Sequence, residues 1–551
     1  MAGPGMLTPW KAVFAGLLLT FVNASAFAQA LPPSIRIAGI SQAQLSALQQ
    51  EVRRAAQARN ASEQALAAVA ERIGEQMRQD GSLDVARLIA AIDRQAGEVS
   101  RLQQALAALT RTDDATVSAL RTGALQALEQ GRLNDADTLL GQAAVRDLES
   151  AHALQTSYSA LLARAAESRA SQARIAELSY NFTRAADLYG EAADTASDRR
   201  LKWRYRFAQA QATGSSDSPE CAAAPHGCAS PGGSTYHSER AVALLNSQVL
   251  PLTSRSETPQ EWAASQLLLG EHYHVICGTQ LSSCVPMIEA LAAAYSILRT
   301  DAAQAAQARH SFARGLWTFT YEVGYAEPAY QAQAATVLAR IAAEQSPQTD
   351  IQALAQVALG RALLGDESQH SRAVGVLRAA ILALERPGDV SASLRADGLC
   401  QARFDVGRLL GREAGQTNDV AMMRQAATFH AAAAATACND TQTRAYASFH
   451  QGGLLIMLDD RRQQVSLDEA IAALQGALRY ITASSNQGDF AIANANMALA
   501  YERLGQRGRG APAYRQAAQH MRAVLAIFTS GPNHDRAQRD LERILAYPGA
   551  Q

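Results

Sequence analysis

The 551-residue sequence predicts an all-α chain in which helical hairpins stack into an extended α-solenoid, with a longer helical hairpin in front of them. Three observations carry that prediction. Hydrophobic residues make up 48% of the chain but aromatic ones only 6%, and alanine fills runs such as Ala431–Ala435, which suits closely packed helices better than sheet. Apolar residues return at threes and fours over most of the length, while strand-type alternation is scarce. The chain is also longer than one compact core usually grows, a limit that a stacked array avoids.

At the N-terminus Lys11 precedes an apolar run, Ala12–Val22, which gives way to small residues ending in Ala26-Phe27-Ala28. These are the positive, apolar and small-residue parts of a secretory signal, with cleavage expected after Ala28. The run is about half the roughly 20 residues that a bilayer-spanning helix needs, so a removable leader is expected rather than a transmembrane anchor. Residues 1–28 are assigned to a signal peptide, and the mature chain to the periplasm or the exterior.

Residues 29–110 form the next region. From Ser41 to about Gln79 the apolar positions Leu45, Leu48, Val52, Leu66, Val69, Ile73 and Met77 predict one long helix. Asp80-Gly81-Ser82 breaks it, and Leu88, Ile89, Ile92, Val99, Leu102, Leu106 and Leu109 predict a second. The pair reads as an antiparallel hairpin. The same apolar seam could instead join two chains as a coiled coil, making a homo-oligomer through residues 41–110.

Beyond Thr110 a repeated pattern appears. Gly131 marks a turn, with Ala136, Leu140 and Ala143 after it, and Ala185, Tyr189 and Ala192 occupy the matching places one unit later. Trp203 and Phe207 face Ala241 and Leu245 in a third pair, Leu269-Gly270-Glu271-His272-Tyr273 opens a fourth with its second helix from Pro286, and 301–343 forms a degenerate fifth. Then Leu359-Gly360, Val406-Gly407, Gly452-Gly453 and Met497-Ala498 recur about every 46 residues, followed by Ala373, Ala426, Ala470 and Gly510 where the two helices should touch most closely. This pattern resembles the tetratricopeptide repeat family, in which each unit is two antiparallel helices crossing at small residues. Here the period exceeds the family's usual length of about 34, and alanine-rich hairpins of another solenoid type share part of the pattern. The divergent repeats span 111–345, the clearer ones 346–530, and 531–551 reads as a polar capping helix and tail.

Six cysteines in an exported chain predict disulfides: Cys221 with Cys228, Cys277 with Cys284, and Cys400 with Cys438. The first two pairs would each staple a loop, and the third would tie two antiparallel helices. Six cysteines allow 15 connectivities, which spacing alone does not resolve. Cys221, His226, Cys228 and His237 also have zinc-type ligands, but oxidation is the expected fate in an exported chain.

The search for catalytic chemistry turns up little. His272 and His274 stand two apart, which splays them around a helix rather than onto one face. Glu322 lies in the most aromatic stretch, Trp317–Tyr325, without a nameable partner carboxylate for glycoside chemistry. Gly-rich phosphate loops, nucleophile elbows and zinc-protease helices are missing from the sequence, so no catalytic residue, metal or cofactor is assigned. The formal net charge of −1 gives no basic field for nucleic acid, and arginine outnumbers the two lysines, Lys11 and Lys202, as codon usage in a GC-rich bacterial genome would produce. What the resemblance implies is a non-enzymatic scaffold that binds a protein or peptide in a groove lined by first helices, with Gln266, Arg361, Arg408, Asn494 and Glu502 as candidate lining residues. A helical cradle for a peptidoglycan-acting enzyme is the alternative. The partner's identity is not written in the sequence.

Overall fold

Helices start where the sequence supplies an oxygen to cap them. In the computed structural model, which describes residues 35–79, 83–153, 158–215, 235–346, 349–463 and 465–550, Asp84, Asp114, Asn181, Asp419, Asp440 and Ser466 each accept a hydrogen bond from a backbone N–H in the first helical turn. Each thereby satisfies a donor that the helix itself leaves unpaired. Pro259, Pro328 and Pro532 begin three further helices, where a missing N–H costs nothing. The described residues are all-α, without a strand.

The N-terminal region corrects one expectation. Residues 42–79 form two helices, α1 (Gln42–Arg59) and α2 (Glu63–Gln79), not one, and both pack on α3 (Val85–Leu109). Asn60 ends α1 in the left-handed conformation at φ 52°, and Ser62 then accepts from the Ala65 N–H to open α2. The apolar spacing runs on across this break, so periodicity alone reads it as continuous. Leu48, Val52, Leu66, Val69, Leu88, Ile92, Val99, Leu102 and Leu106 are all buried within the one chain. The same core continues into Ala124, Leu128, Leu140 and Leu178, so the three-helix unit is the first layer of the array. Gly131 shows how close that junction is: at φ 74°, a Cβ on it would stand 2.7 Å from the Gln64 carbonyl oxygen of α2.

Hairpins follow in chain order: α4 (Ala115–Glu129) with α5 (Leu133–Ala153), α6 (Tyr158–Leu178) with α7 (Phe182–Thr195), and α8 (Arg199–Ser215) with α9 (Tyr236–Leu244). Next come α10 (Pro259–Cys277) with α11 (Cys284–Leu298), α12 (Ala305–Val323) with α13 (Pro328–Glu344), and α14 (Asp350–Ala362) with α15 (His370–Leu384). The last are α16 (Ala392–Thr417) with α17 (Val420–Ala435), α18 (Thr441–Asp460) with α19 (Leu467–Leu478), α20 (Gln487–Leu504) with α21 (Gly510–Ile527), and the terminal α22 (Pro532–Leu545). Consecutive helices make the main contacts, the arrangement of a helical repeat.

Small residues set the crossings. A Cβ on Gly360 would lie 2.4 Å from Leu377, one on Gly407 2.9 Å from the His430 ring, and one on Gly452 2.5 Å from Leu474. In each unit the touched residue stands one helical turn after the predicted small partner, Ala373, Ala426 or Ala470, and all three alanines are fully buried. The fourth expectation is corrected. Gly510 is the partly exposed first residue of α21, at φ 58°, and Ala513, Ala517 and Ala518 are the buried small residues of that helix.

Among the described residues two disulfides close loops. Cys277 is bonded to Cys284 across the α10–α11 turn, and Cys400 of α16 to Cys438 beyond α17. The expected leader, residues 1–28, and the expected Cys221–Cys228 bridge lie outside the described residues.

Candidate ligand groove on the first helices

First helices of successive units, α12, α14, α16, α18 and α20, pack directly on one another, while second helices rest mainly on first helices. In curved repeat arrays the more tightly spaced layer is the inner one, which makes groups exposed on these helices the candidates for lining a groove.

The five residues expected to line it have different fates. Arg361 is buried, its Nη1 3.4 Å from Asp405 Oδ2 on the next first helix. Asn494 is buried, donating to the Phe490 carbonyl and sharing a 2.8 Å hydrogen bond with His520 Nδ1. Glu502 is buried against Arg543 of α22, and desolvation, only partly offset by that arginine, raises its carboxyl above the usual range. These three polar groups are spent between helices. Gln266 is half-buried on α10. Arg408 is the one with an open head, its side chain 50% exposed and its Nη2 3.9 Å from Asp405 Oδ1.

Arg408 stands at a pocket of about 330 Å³ between α16, α18 and α20. Gly411 and Gly453 form part of its wall, and packing does not require either to be glycine. A Cβ on Gly411 would meet Ala426 and Leu454 at 3.7 Å, and one on Gly453 would meet Asn496 at 3.6 Å, both ordinary contacts. Glycine inside a helix costs about 1 kcal/mol relative to alanine, so two such residues open space at a cost that the helix crossings do not explain. Behind them His430 and His450 stack at 5.2 Å, and Phe404 lies edge-on to His430 at 5.6 Å. Burial, then the neighbouring His450 and Arg408, push His430 down to about 3, and burial and Arg408 also lower His450. Both rings are therefore neutral near pH 7. The charge at the mouth belongs to Arg408 and to Arg412, which reaches Glu367 from the preceding unit.

Exposed rings stand at the end of α12, two units before this pocket. Tyr325 is 70% exposed, packs against Tyr321 at 5.3 Å, and is covered on one side by the Arg361 guanidinium at 5.5 Å. Asp405, fully buried, links Arg361, which covers Tyr325, to Arg408 at the pocket. Further along, Tyr446 donates to Asp489 at 2.9 Å. The aromatic stretch Trp317–Tyr325 thus divides: Phe319 is core, whereas Tyr321 and Tyr325 face outward, which its composition alone does not reveal. Burial raises the Glu322 carboxyl above its ordinary value.

The histidines near the fourth unit are structural. His272 is buried beneath Gly214, where a Cβ would run into its ring, and His274 shares a 2.8 Å hydrogen bond with Thr318. Burial pushes both down to about 4. Among the described residues no three His, Cys, Asp or Glu side chains gather as a metal site would require. A further cleft, of about 790 Å³ between α13 and the α14–α15 turn, is lined on α13 mainly by alanines and on the other side by Asp366, Glu367 and Arg372.

No protein-family model matches the sequence, and no curated protein matches it either.

Proposed function

We propose that this chain is an extracytoplasmic scaffold of tetratricopeptide type that captures an extended segment of a protein partner along its first-helix groove. The observation that carries the reading is the glycine-walled pocket at Arg408, with Tyr321 and Tyr325 exposed on a first helix two units before it. Glycines that packing does not require leave room for a ligand side chain, and a half-exposed guanidinium at the mouth favours an acidic one. Exposed tyrosines supply rigid contact area at low entropic cost, as binding surfaces commonly do. Two disulfides among the described residues support residence in an oxidising compartment, in keeping with the leader expected at residues 1–28.

The chemistry proposed is recognition, with no bond made or broken. The test is selection of displayed random peptides on the full chain, followed by affinities from fluorescence polarisation. Enriched peptides should carry an acidic residue beside an apolar or aromatic one. Arg408→Ala should weaken them about tenfold or more, the scale of a lost charged hydrogen bond. Gly453→Leu, which fills the pocket, should abolish capture with the melting curve preserved. Selected peptides that bind both variants as well as the parent would place the groove elsewhere.

A further inference from the structure

The pocket at Arg408 holds hydrogen-bonding capacity that the array does not use. His430 is 1% exposed and lines the pocket, and its Nδ1 is shut off from solvent without a hydrogen-bond partner. Buried polar groups are nearly always paired, so an orphan beside a cavity points to a partner that arrives with a ligand. Asn496 of α20 and His450 of α18 stand at the same pocket, and each side chain has both donor and acceptor capacity. We infer that the pocket seats a tyrosine side chain of the partner segment, its ring against bare glycine backbone and its hydroxyl paired with His430. The inference rests on the groove reading above and names the side chain that the groove selects.

The lining separates by chemistry. Phe449, Leu454 and Met457 of α18 give aromatic and apolar contacts, while Gly411 of α16 and Gly453 of α18 present backbone without a side chain. A planar ring can lie on such a surface, and methionine sulfur, phenylalanine and imidazole all favour an aromatic neighbour. Ligand pockets run from about 300 to 1,000 Å³, so this one, at about 330 Å³, takes a single ring rather than a stretch of chain. The half-exposed Arg408 guanidinium at the mouth can cover the ring face or meet an acid beside it.

Three rival occupants fit less well. Phenylalanine would fill the space but leave His430 Nδ1 unpaired. A carboxylate would shed its water beside Leu454, Met457 and a stacked ring pair, with one half-solvated guanidinium to offset the loss, so the acid belongs at the mouth and not inside. A side-chain amide would supply hydrogen bonds but no ring for Phe449 and His450. A phenolic hydroxyl suits the site whichever nitrogen of His430 carries the proton, because its one oxygen both donates and accepts.

The experiment is isothermal titration of the full chain with three blocked peptides, acetyl-Ala-Glu-Xaa-Glu-Ala-amide, in which Xaa is tyrosine, phenylalanine or O-methyltyrosine. Acid on both sides serves Arg408 in either chain direction, and blocked ends remove the terminal charges. We expect tyrosine to bind about tenfold tighter than phenylalanine, the scale of one hydrogen bond to a buried partner, and O-methyltyrosine to lose that gain. His430→Phe, which keeps a ring and removes Nδ1, should bind the tyrosine and phenylalanine peptides equally, with melting curves to check its fold. Should that variant not fold, the ratio of tyrosine to O-methyltyrosine on the parent decides. Phenylalanine binding as tightly as tyrosine, a tyrosine preference that survives in folded His430→Phe, or no binding of the tyrosine peptide by the folded parent would each overturn the inference. If peptides selected on the chain need Arg408 but carry no tyrosine, the groove reading stands and this inference alone falls. If the tyrosine peptide binds Arg408→Ala and Gly453→Leu as well as the parent, both fall.

Discussion

Replacing Arg361 by methionine leaves Asp405 buried beside a hydrocarbon, and the penalty can be sized from what remains. Asp405 is fully buried and keeps only Gln401 Nε2 at 2.9 Å and the distant Arg408 at 3.9 Å. Removing one member of a buried ion pair costs about 3–5 kcal/mol, and the surviving Gln401 bond puts this case near the lower figure, about 3 kcal/mol. Because an array's stability is a sum of units and nearest-neighbour interfaces, the loss should concentrate at α14 and α16. Amide hydrogen exchange of the full chain reads this locally. Peptides from those helices should exchange about 150-fold faster, taking about 1.4 kcal/mol per decade, while α4–α6 stay unchanged. The double variant Arg361→Met/Asp405→Leu removes both charges and should come back close to the parent, since Arg361 Nε and Asp405 Oδ1 already lack hydrogen-bond partners. Slow exchange in Arg361→Met, or a double variant as labile as the single, would show that the pair does not couple these units.

Three further outcomes follow from the same structure. Gly407→Ala should lower the thermal midpoint by an amount equivalent to about 1–3 kcal/mol, because its Cβ meets the His430 ring, whereas Gly415→Ala, on the same helix with nothing within 4 Å, should raise stability by up to about 1 kcal/mol. His272, His274 and His430, held down to about 4, 4 and 3, keep their full contribution above the unfolded value near 6.5 and lose it as pH falls through their folded values. The melting midpoint should therefore be level above pH 7 and fall on acidification, while Glu177 acts locally in the opposite sense, its folded state losing ground as pH rises from about 4.5 to 7. A midpoint that rises from pH 7 to pH 5 would contradict the histidine assignment. Removing the Cys400–Cys438 bond, which spans 38 residues, should cost about 4 kcal/mol in the chain-entropy model, against about 2.5 for Cys277–Cys284, which spans 7; melts of the two double-serine variants compare them.

The hairpins were legible in the sequence because a crossing is a local matter. Gly360, Gly407 and Gly452 precede Ala373, Ala426 and Ala470 within one unit, and close approach demands small residues on both helices. The break at Asn60 was hidden because the apolar spacing passes through it in phase, so only the Asn60-Ala61-Ser62 composition marks it. Gly510 was placed at a crossing because glycine serves turns as readily as contacts, and only its positive φ distinguishes the two uses.

The groove was harder to read, for a reason that lies between units rather than within them. A polar residue on a first helix faces either the groove or the next first helix, and the register between units decides which. Arg361 finds Asp405 44 residues on, Asp459 finds Arg503 44 on, Gln401 finds Thr443 42 on, and Glu502 finds Arg543 41 on. Each separation is close to the spacing of the small-residue crossings, so opposite charges or hydrogen-bonding partners one repeat apart form a signal that could have been sought. Such pairs act on register: sliding one unit by a helical turn would bury several charges without partners, a penalty larger than any apolar mismatch along these alanine-rich faces. Arg361 and Glu502 therefore serve the array by holding its units in phase, while Asn494 ties the two helices of its own unit through His520. What remains free to meet a ligand is the complement of that set, Arg408 with the Tyr321–Tyr325 pair, and the open space beside them coincides with the two glycines that no crossing requires.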